Sequence, residues 1–402
     1  MAVTLKDIVE AKKRIQDTIY RTALMETKSI SSLTGLHVRI KPENLQKTGS
    51  FKIRGAANKI ALLSATERAK GVITASAGNH AQGVAYAARQ AGIEATIVMP
   101  STTPIAKVEA VRQYHTNLVL EGETYNEAAD HARALQIKTG AIFVHAFDDY
   151  DVIAGQGTIA LEILEEWPEV DSVLVSIGGG GLISGIATAI KETKPQVRIV
   201  GVQASGAPSA RVALEEGRPI KLSSAHTLAD GIAVKQVGER TFPIIRSLVD
   251  EVVTVDEDEI ASAVLHLLEK SKVVVEGAGA APVAALMYHK GIAKRHNVVV
   301  VLSGGNIDVN MLGKIIDSGL AKSGRFMTVE VVLEDVPGSL QKLLQHVAEL
   351  KGNVLTIEHN RTSAKAPFGK TFVTLHLETR GYEHVEEIGR VLAKHYNVQP
   401  KP

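Results

Sequence analysis

From Val72 onward, short apolar runs alternate with helical patterns, and this alternation constrains the fold more than any other feature. Val72–Ser76, Ala95–Met99, Asn117–Leu120 and Ile142–Ala146 read as buried strands. Between them, Asn79–Ala91, Pro104–Tyr114 and Thr124–Thr139 read as helices. Strand, helix, strand at this spacing predicts a parallel sheet with right-handed crossovers. The pattern resumes with helix Gly155–Glu166, strand Ser172–Ile177, helix Leu182–Lys194 and strand Val197–Gln203. It continues with strand Glu251–Val255, helix Asp256–Ser271, strand Asn297–Leu302 and helix Ile307–Ser318. Ser205–Val249 carries no readable pattern. Two α/β lobes with a cleft between them are expected.

The texture changes after the small, polar segment Ser318–Gly324. Met327–Leu333 reads as a strand, Asp335-Val336-Pro337-Gly338 as a turn, and Leu340, Leu343, Leu344, Val347 and Leu350 fall at helical spacing. Strands Val354–His359 and Thr371–Leu377, helix Glu383–His395 and a short end at Tyr396–Val398 complete a βαββαβ order, expected as a small α+β module. The predicted division is residues 1–320, a linker at 321–325, and a terminal module at 326–402. A smaller lobe, about 45–146, is inserted in the first part.

A chain of 402 residues is long enough for two or three domains with real cores. A formal net charge of +1 gives no electrostatic reason to expect nucleic acid or an anionic membrane as partner. No apolar run approaches a membrane span, and Met1–Arg14 is polar and helical rather than a signal peptide. Zero cysteines exclude disulfides, thiolate metal sites and a cysteine nucleophile. The expectation is a cytoplasmic protein. His80, His115, His131, His145 and His226 lack paired metal-ligand spacing, so no metal site is expected. Asp148-Asp149 and Glu165-Glu166 read as charges on element ends.

Three loops follow strands. Ser176-Ile177-Gly178-Gly179-Gly180-Gly181-Leu182 joins a buried strand to a helix, so a row of backbone N–H groups meets a helix amino terminus. That suits a phosphate. The run satisfies neither the dinucleotide fingerprint nor a P-loop, and a tight, closely packed turn is the plainer alternative. Ser76-Ala77-Gly78-Asn79-His80 and Ser303-Gly304-Gly305-Asn306 occupy equivalent places, where a capped turn or a carboxylate grip are both open. Open α/β sheets bind ligands beyond the carboxyl ends of strands, and three such loops favour a site. Ahead of them, Ser50 is expected to cap a helix whose first turn holds Lys52, beside Phe51 and near Lys47 and Arg54. The helix dipole would ease loss of its proton there, although most lysines so placed are solvated surface residues.

A Schiff-base lysine, a cradle for one phosphate and a strand-end serine suggest pyridoxal phosphate. Ser50-Phe51-Lys52-Ile53-Arg54-Gly55-Ala56, Ser76-Ala77-Gly78-Asn79-His80-Ala81-Gln82-Gly83, Gly178–Gly181 and Ser303–Asn306 resemble the fold type II pyridoxal-phosphate enzymes, the tryptophan synthase β-like class, and most closely their threonine ammonia-lyase (threonine dehydratase) branch. The resemblance runs from about Leu5 to Ser318. The tail resembles a single ACT regulatory domain. The resemblance implies that Lys52 carries pyridoxal 5'-phosphate and Phe51 packs on its ring. It implies that Asn79 bonds the phenolic oxygen, while Gly178, Gly179, Gly180, Gly181 and Leu182 hold the phosphate. Ser303 would bond the ring nitrogen, and Ser76, Asn79 and His80 the substrate carboxylate.

The implied reaction is elimination of water from L-threonine, and from L-serine by the same path, to a 2-oxo acid and ammonia. A serine dehydratase or racemase-like enzyme on the same scaffold, and a non-catalytic amino-acid sensor, are the alternatives. Ala77 stands where serine racemases of this family carry a second serine, which argues against racemisation, and Gln203 stands near their carboxylate metal ligand. The tail implies regulation by isoleucine or valine around Pro337-Gly338 and the loop Thr362–Gly369, with AMP as another effector known in the family. It leaves open whether the role is isoleucine biosynthesis or threonine breakdown. A homotetramer or homodimer is expected.

Overall fold

The computed structural model describes residues 3–291, 296–361 and 367–400. The chain forms two compact units, Met1–Asp308 and Val309–Pro402. The division therefore falls earlier than the expected 320/321. Helix Val309–Lys322 belongs with the second unit, and the expected linker is the end of that helix and the turn into strand Phe326–Glu334.

The first unit holds two sheets. The larger runs in the order Met25–Glu26, His37–Pro42, Asn297–Leu302, Ser172–Ser176, Arg198–Ala204, Glu251–Val255. All neighbours are parallel except the first pair. The smaller is wholly parallel, in the order Asn117–Leu120, Ala95–Met99, Val72–Ala75, Ile142–Phe143. Strands buried on both faces need apolar side chains throughout, and Ser172–Ser176 and Val72–Ala75 are buried at every position. The last strand of the small sheet is shorter than expected. His145 Nδ1 accepts from the N–H groups of Phe147 (3.2 Å) and Asp148 (2.8 Å), which turns the chain. Asp149 then caps a helix that starts at Tyr150, five residues before the expected Gly155. The expected helix Asp256–Ser271 is α-helical over Glu257–His266 and becomes a π-turn at Leu267–Ser271.

Helix Lys52–Ala61 packs against Asn79–Ala91 on one side and Tyr150–Glu166 on the other. Its approach to the latter is backbone to backbone. A Cβ on Gly155 would lie 2.5 Å from Arg54 O, so only glycine fits that crossing. Four buried charges lock the same place. Arg54 pairs with Glu43 (Nε–Oε2 2.8 Å) and Glu162 (Nη1–Oε1 2.7 Å), and Lys41 joins Glu162 at 2.5 Å. Burial alone would lower the Arg54 pKa, but its two carboxylates raise it overall.

The second unit has the antiparallel order Asn353–Asn360, Lys370–Glu378, Phe326–Glu334, Asn397–Pro400. Helices Ser339–Glu349 and Tyr382–His395 supply Leu343, Val347, Ile388 and Leu392 to a core with Val329, Val331, Val373 and Leu375. Of the loop Thr362–Gly369, residues 362–366 lie outside the described residues.

Candidate active site

The three strand-end loops and the lysine helix converge. Phe51 N–H donates to Ser303 O (3.0 Å), and Ser50 forms an isolated bridge with Gly304. This corrects the expected cap. Ser50 is drawn into that bridge, Phe51 takes the N-cap position, and no side chain caps the helix. Lys52 begins the helix as expected, but its surroundings differ. Lys47 lies over the rings of Tyr20 and Tyr86, and Arg54 is in its ion cluster, so neither cation faces Lys52. Lys52 Nζ donates to Ala146 O (2.9 Å) and sits 5.2 Å from the Phe51 ring centroid. The residue keeps some accessible surface, yet its amine is enclosed by protein. Burial lowers its pKa to about 8, opposed by the charge of Glu276. Desolvation thus replaces the helix dipole as the cause.

Ala146 and its neighbour Phe147 connect the lysine to the glycine loop. The Phe147 ring covers Gly179 so closely that a Cβ there would lie 2.3 Å from Cγ. Gly180 has φ +96 and starts the helix Gly181–Thr193. Among the described residues, the backbone N–H groups of Gly178, Gly179, Gly180, Gly181 and Leu182 have no acceptor, whereas Ile177 N–H and Ser184 N–H are bonded. The tightly packed turn therefore also presents a row of unused donors. Orphaned donors at a helix amino terminus fit a phosphate.

Asn79 is fixed at both ends. Its Nδ2 donates to Glu276 Oε1 (2.7 Å), and its Oδ1 accepts from Asn306 Nδ2 (2.8 Å), leaving one N–H for a ligand. Ser303 is buried and accepts from Ser176 Oγ at 3.3 Å. Ser76 Oγ accepts from Gly78 N–H (3.3 Å), which leaves its hydroxyl hydrogen to donate. His80 differs from expectation. Its ring is buried, and Nε2 must carry the hydrogen because it meets Val144 O at 2.9 Å. Burial, with Lys52 nearby, pushes its pKa down to about 3, so Nδ1 is a bare lone pair that repels a carboxylate. The ring is excluded from the carboxylate grip. The backbone N–H groups of residues 79–81, which have no acceptor among the described residues, remain available.

Sequence reasoning missed Glu276. It stands at the N-cap position of helix Gly277–Met287, but its carboxylate caps no N–H and is instead buried against Asn79, with glycines at 231 and 304 making room for it. A Cβ on Gly304 would lie 2.3 Å from its Oε1. Burial raises its pKa to about 7, reinforced by the charge of Asp230 and opposed by the Asn79 hydrogen bond. An acid directly before the small-residue run Gly277–Ala281 is the only signal that could have marked it.

A parallel α/β sheet with a desolvated lysine, linked through Ala146 and Phe147 to a loop of orphaned N–H groups, defines a site for a carbonyl cofactor carrying a phosphate. The family described as pyridoxal-phosphate dependent enzyme matches residues 15–304. The chain belongs to that family. It is 52% identical to an L-threonine ammonia-lyase of Thermotoga maritima over 398 residues, 99% of both chains. Among solved structures, the processed form of threonine deaminase isoform 2 from Solanum lycopersicum aligns at TM-score 0.75 and 41% identity, covering 78% of this chain and 91% of that one. A maize serine racemase aligns at TM-score 0.76 and 37% identity, covering 80% and 99%.

Proposed function

We propose that this chain is a threonine ammonia-lyase, converting L-threonine to 2-oxobutanoate and ammonia, with L-serine as a second substrate. The observation that carries the reading is the enclosed Lys52 amine, bonded to Ala146 O, with the next residue, Phe147, packed on the loop whose Gly178–Leu182 donors are unused. End-to-end identity with an L-threonine ammonia-lyase supports the choice of reaction. Pyridoxal phosphate, when bound, supplies the carbonyl that captures the amino group and the electron sink that acidifies the α-carbon.

The residues divide the remaining work. With pyridoxal phosphate bound, the Gly178–Leu182 N–H groups would hold the phosphate, Phe51 would pack beside the ring, Asn79 would donate its free N–H to the phenolic oxygen, and Ser303 would serve the ring nitrogen. Ser76, together with the N–H groups at 79–81, binds the substrate carboxylate. Lys52 Nζ, neutral in a large fraction near pH 8, takes the α-proton. The β-hydroxyl takes up the proton that Lys52 removed and leaves as water, and the released 2-aminocrotonate hydrolyses to 2-oxobutanoate and ammonia. Ala77 is partly buried against core residues, and its methyl group cannot transfer a proton, which disfavours a racemase.

The same reading makes the terminal unit an ACT regulatory domain in a cytoplasmic homotetramer or homodimer, answering to isoleucine or valine. A cavity of about 140 Å³ lies at the turn Asp335–Gly338, lined also by Leu333, Leu340 and Arg361. Arg361 Nε pairs with Asp335 Oδ1 at 3.0 Å, a cation and an anion suited to the two ends of a free amino acid.

The test is the visible spectrum of purified protein and of Lys52→Ala, followed by assay of 2-oxo acid from threonine. A cofactor band and 2-oxobutanoate in wild type, both lost in the variant, are expected. A colourless protein after addition of pyridoxal phosphate overturns the enzyme reading. A coloured protein that turns over only serine makes it a serine dehydratase.

A further inference from the structure

We propose that Gln203 and Thr241 are positioning residues for the anion cradle, each holding one carbonyl of the glycine loop back so that its N–H groups face a phosphate monoester. The proposal rests on the reading that Gly178–Leu182 binds the cofactor phosphate. A run of glycines has the widest backbone freedom of any sequence, so the orientation of its peptides has to come from elsewhere. In a trans peptide, the C=O of one residue and the N–H of the next point in opposite directions. Whatever holds a carbonyl therefore aims the following N–H.

Two fully buried side chains do this at alternate peptides. Gln203 Nε2 donates to Ile177 O (3.2 Å), which turns Gly178 N–H the other way. Thr241 Oγ1 donates to Gly179 O (2.7 Å), with Gly238 N–H adding a second bond at 3.1 Å, which turns Gly180 N–H the same way. Both holders are themselves fixed. Gln203 Oε1 accepts from Ala210 N–H and Arg211 N–H, each at 3.0 Å, so only its NH2 end can face Ile177. Thr241 N–H and Arg240 N–H both donate to Asp148 Oδ1, at 3.3 and 2.8 Å, which clamps the turn carrying the hydroxyl. Thr241 Oγ1 also lies 3.2 Å from Gly238 O, the longer of its two contacts. The glycine at 180 lets the hydroxyl approach, since a Cβ there would lie 2.8 Å from Thr241 Oγ1.

The experiment titrates apoprotein with pyridoxal 5'-phosphate and, separately, with pyridoxal, which lacks the phosphate. Wild type, Thr241→Val, Thr241→Ser and Gln203→Leu are compared by the ratio of the two affinities. A misplaced donor to a charged group should lower that ratio about tenfold or more in Thr241→Val and Gln203→Leu. Pyridoxal affinity should stay within about twofold, and Thr241→Ser should keep the wild-type ratio. An unchanged ratio in both variants overturns the proposal. Equal weakening of both ligands, or loss of both in both variants, also overturns it, because the pair would then serve folding in general. A wild type that does not discriminate between the ligands instead sinks the cradle reading itself.

Discussion

Lys52 and Glu276 are buried against each other's field, and burial moves both toward their neutral forms. Lys52 falls from 10.5 to about 8, and Glu276 rises from 4.5 to about 7. The consequences for stability have opposite signs. Between pH 8 and 10.5 the unfolded chain holds the extra proton at Lys52, so that group's penalty is relieved as pH rises. Between pH 4.5 and 7 the folded chain holds the extra proton at Glu276, so its contribution is lost as pH rises. Glu276→Gln keeps an acceptor for Asn79 Nδ2 and removes the charge. The apoprotein variant should therefore be more stable than wild type by on the order of 1–3 kcal/mol at about pH 8 and by much less at about pH 5, read by chemical unfolding. An equal shift at both pH values would assign the effect to packing. In the loaded enzyme the same substitution should remove an ionisation near 7 from the pH profile of kcat/KM. Lys52 and the strand-end loops were legible because their residue types and spacing are local. Glu276 was not, because its burial is made by Asn79, Gly231 and Gly304, all distant in sequence. The His80 ring misled for the same reason, since its partner Val144 lies 64 residues away.

At the scale of elements, the helix Lys52–Ala61 is held by a glycine crossing and by the Lys41–Glu43–Arg54–Glu162 cluster. The cluster is balanced in charge, so removing one member leaves an uncompensated buried ion. Arg54→Met strands Glu43, leaves Glu162 with Lys41 alone, and should cost about 3–5 kcal/mol in unfolding free energy, with stability falling further as pH rises above the carboxylate range. A change under about 1 kcal/mol would mean that water already reaches the cluster. Elements with a repeating apolar pattern were readable, including the parallel strands and the whole βαββαβ order. Residues 205–249 were not. Their short helices Ser209–Glu216 and Thr241–Leu248 are tied down by single side chains rather than by an apolar period, Ala210 by Gln203 just upstream and Arg240 and Thr241 by the distant Asp148. Helix Gly277–Met287 was missed for a different reason. It is buried over Gly277–Leu286, so it has no polar face to give a period, and it contains Pro282.

At the scale of the whole molecule, the question is what the terminal unit does for the first. The identity with the Thermotoga maritima enzyme runs through it, over 99% of both chains, so it is shared by a relative rather than appended to this one. Among the described residues, its edge strand Asn353–Asn360 pairs on one side only and exposes Leu355 and Ile357, a surface suited to a second copy of the chain. A ligand can shift an equilibrium only through different affinities for its two states, so an effector must contact groups that those states arrange differently. The Asp335–Arg361 pair at the turn cavity is the candidate, because a bound amino acid would exchange this internal ion pair for its own ammonium and carboxylate. Isoleucine or valine should then change threonine turnover severalfold and raise the melting temperature. Asp335→Asn and Arg361→Gln should abolish both responses while leaving the rate without effector within about twofold, since an exposed ion pair contributes little by itself. If both variants respond like wild type, the effector site lies elsewhere. If wild type responds to neither amino acid, the terminal unit serves assembly instead, and its removal should lower the sedimentation mass of the oligomer without altering the response of the rate to any amino acid.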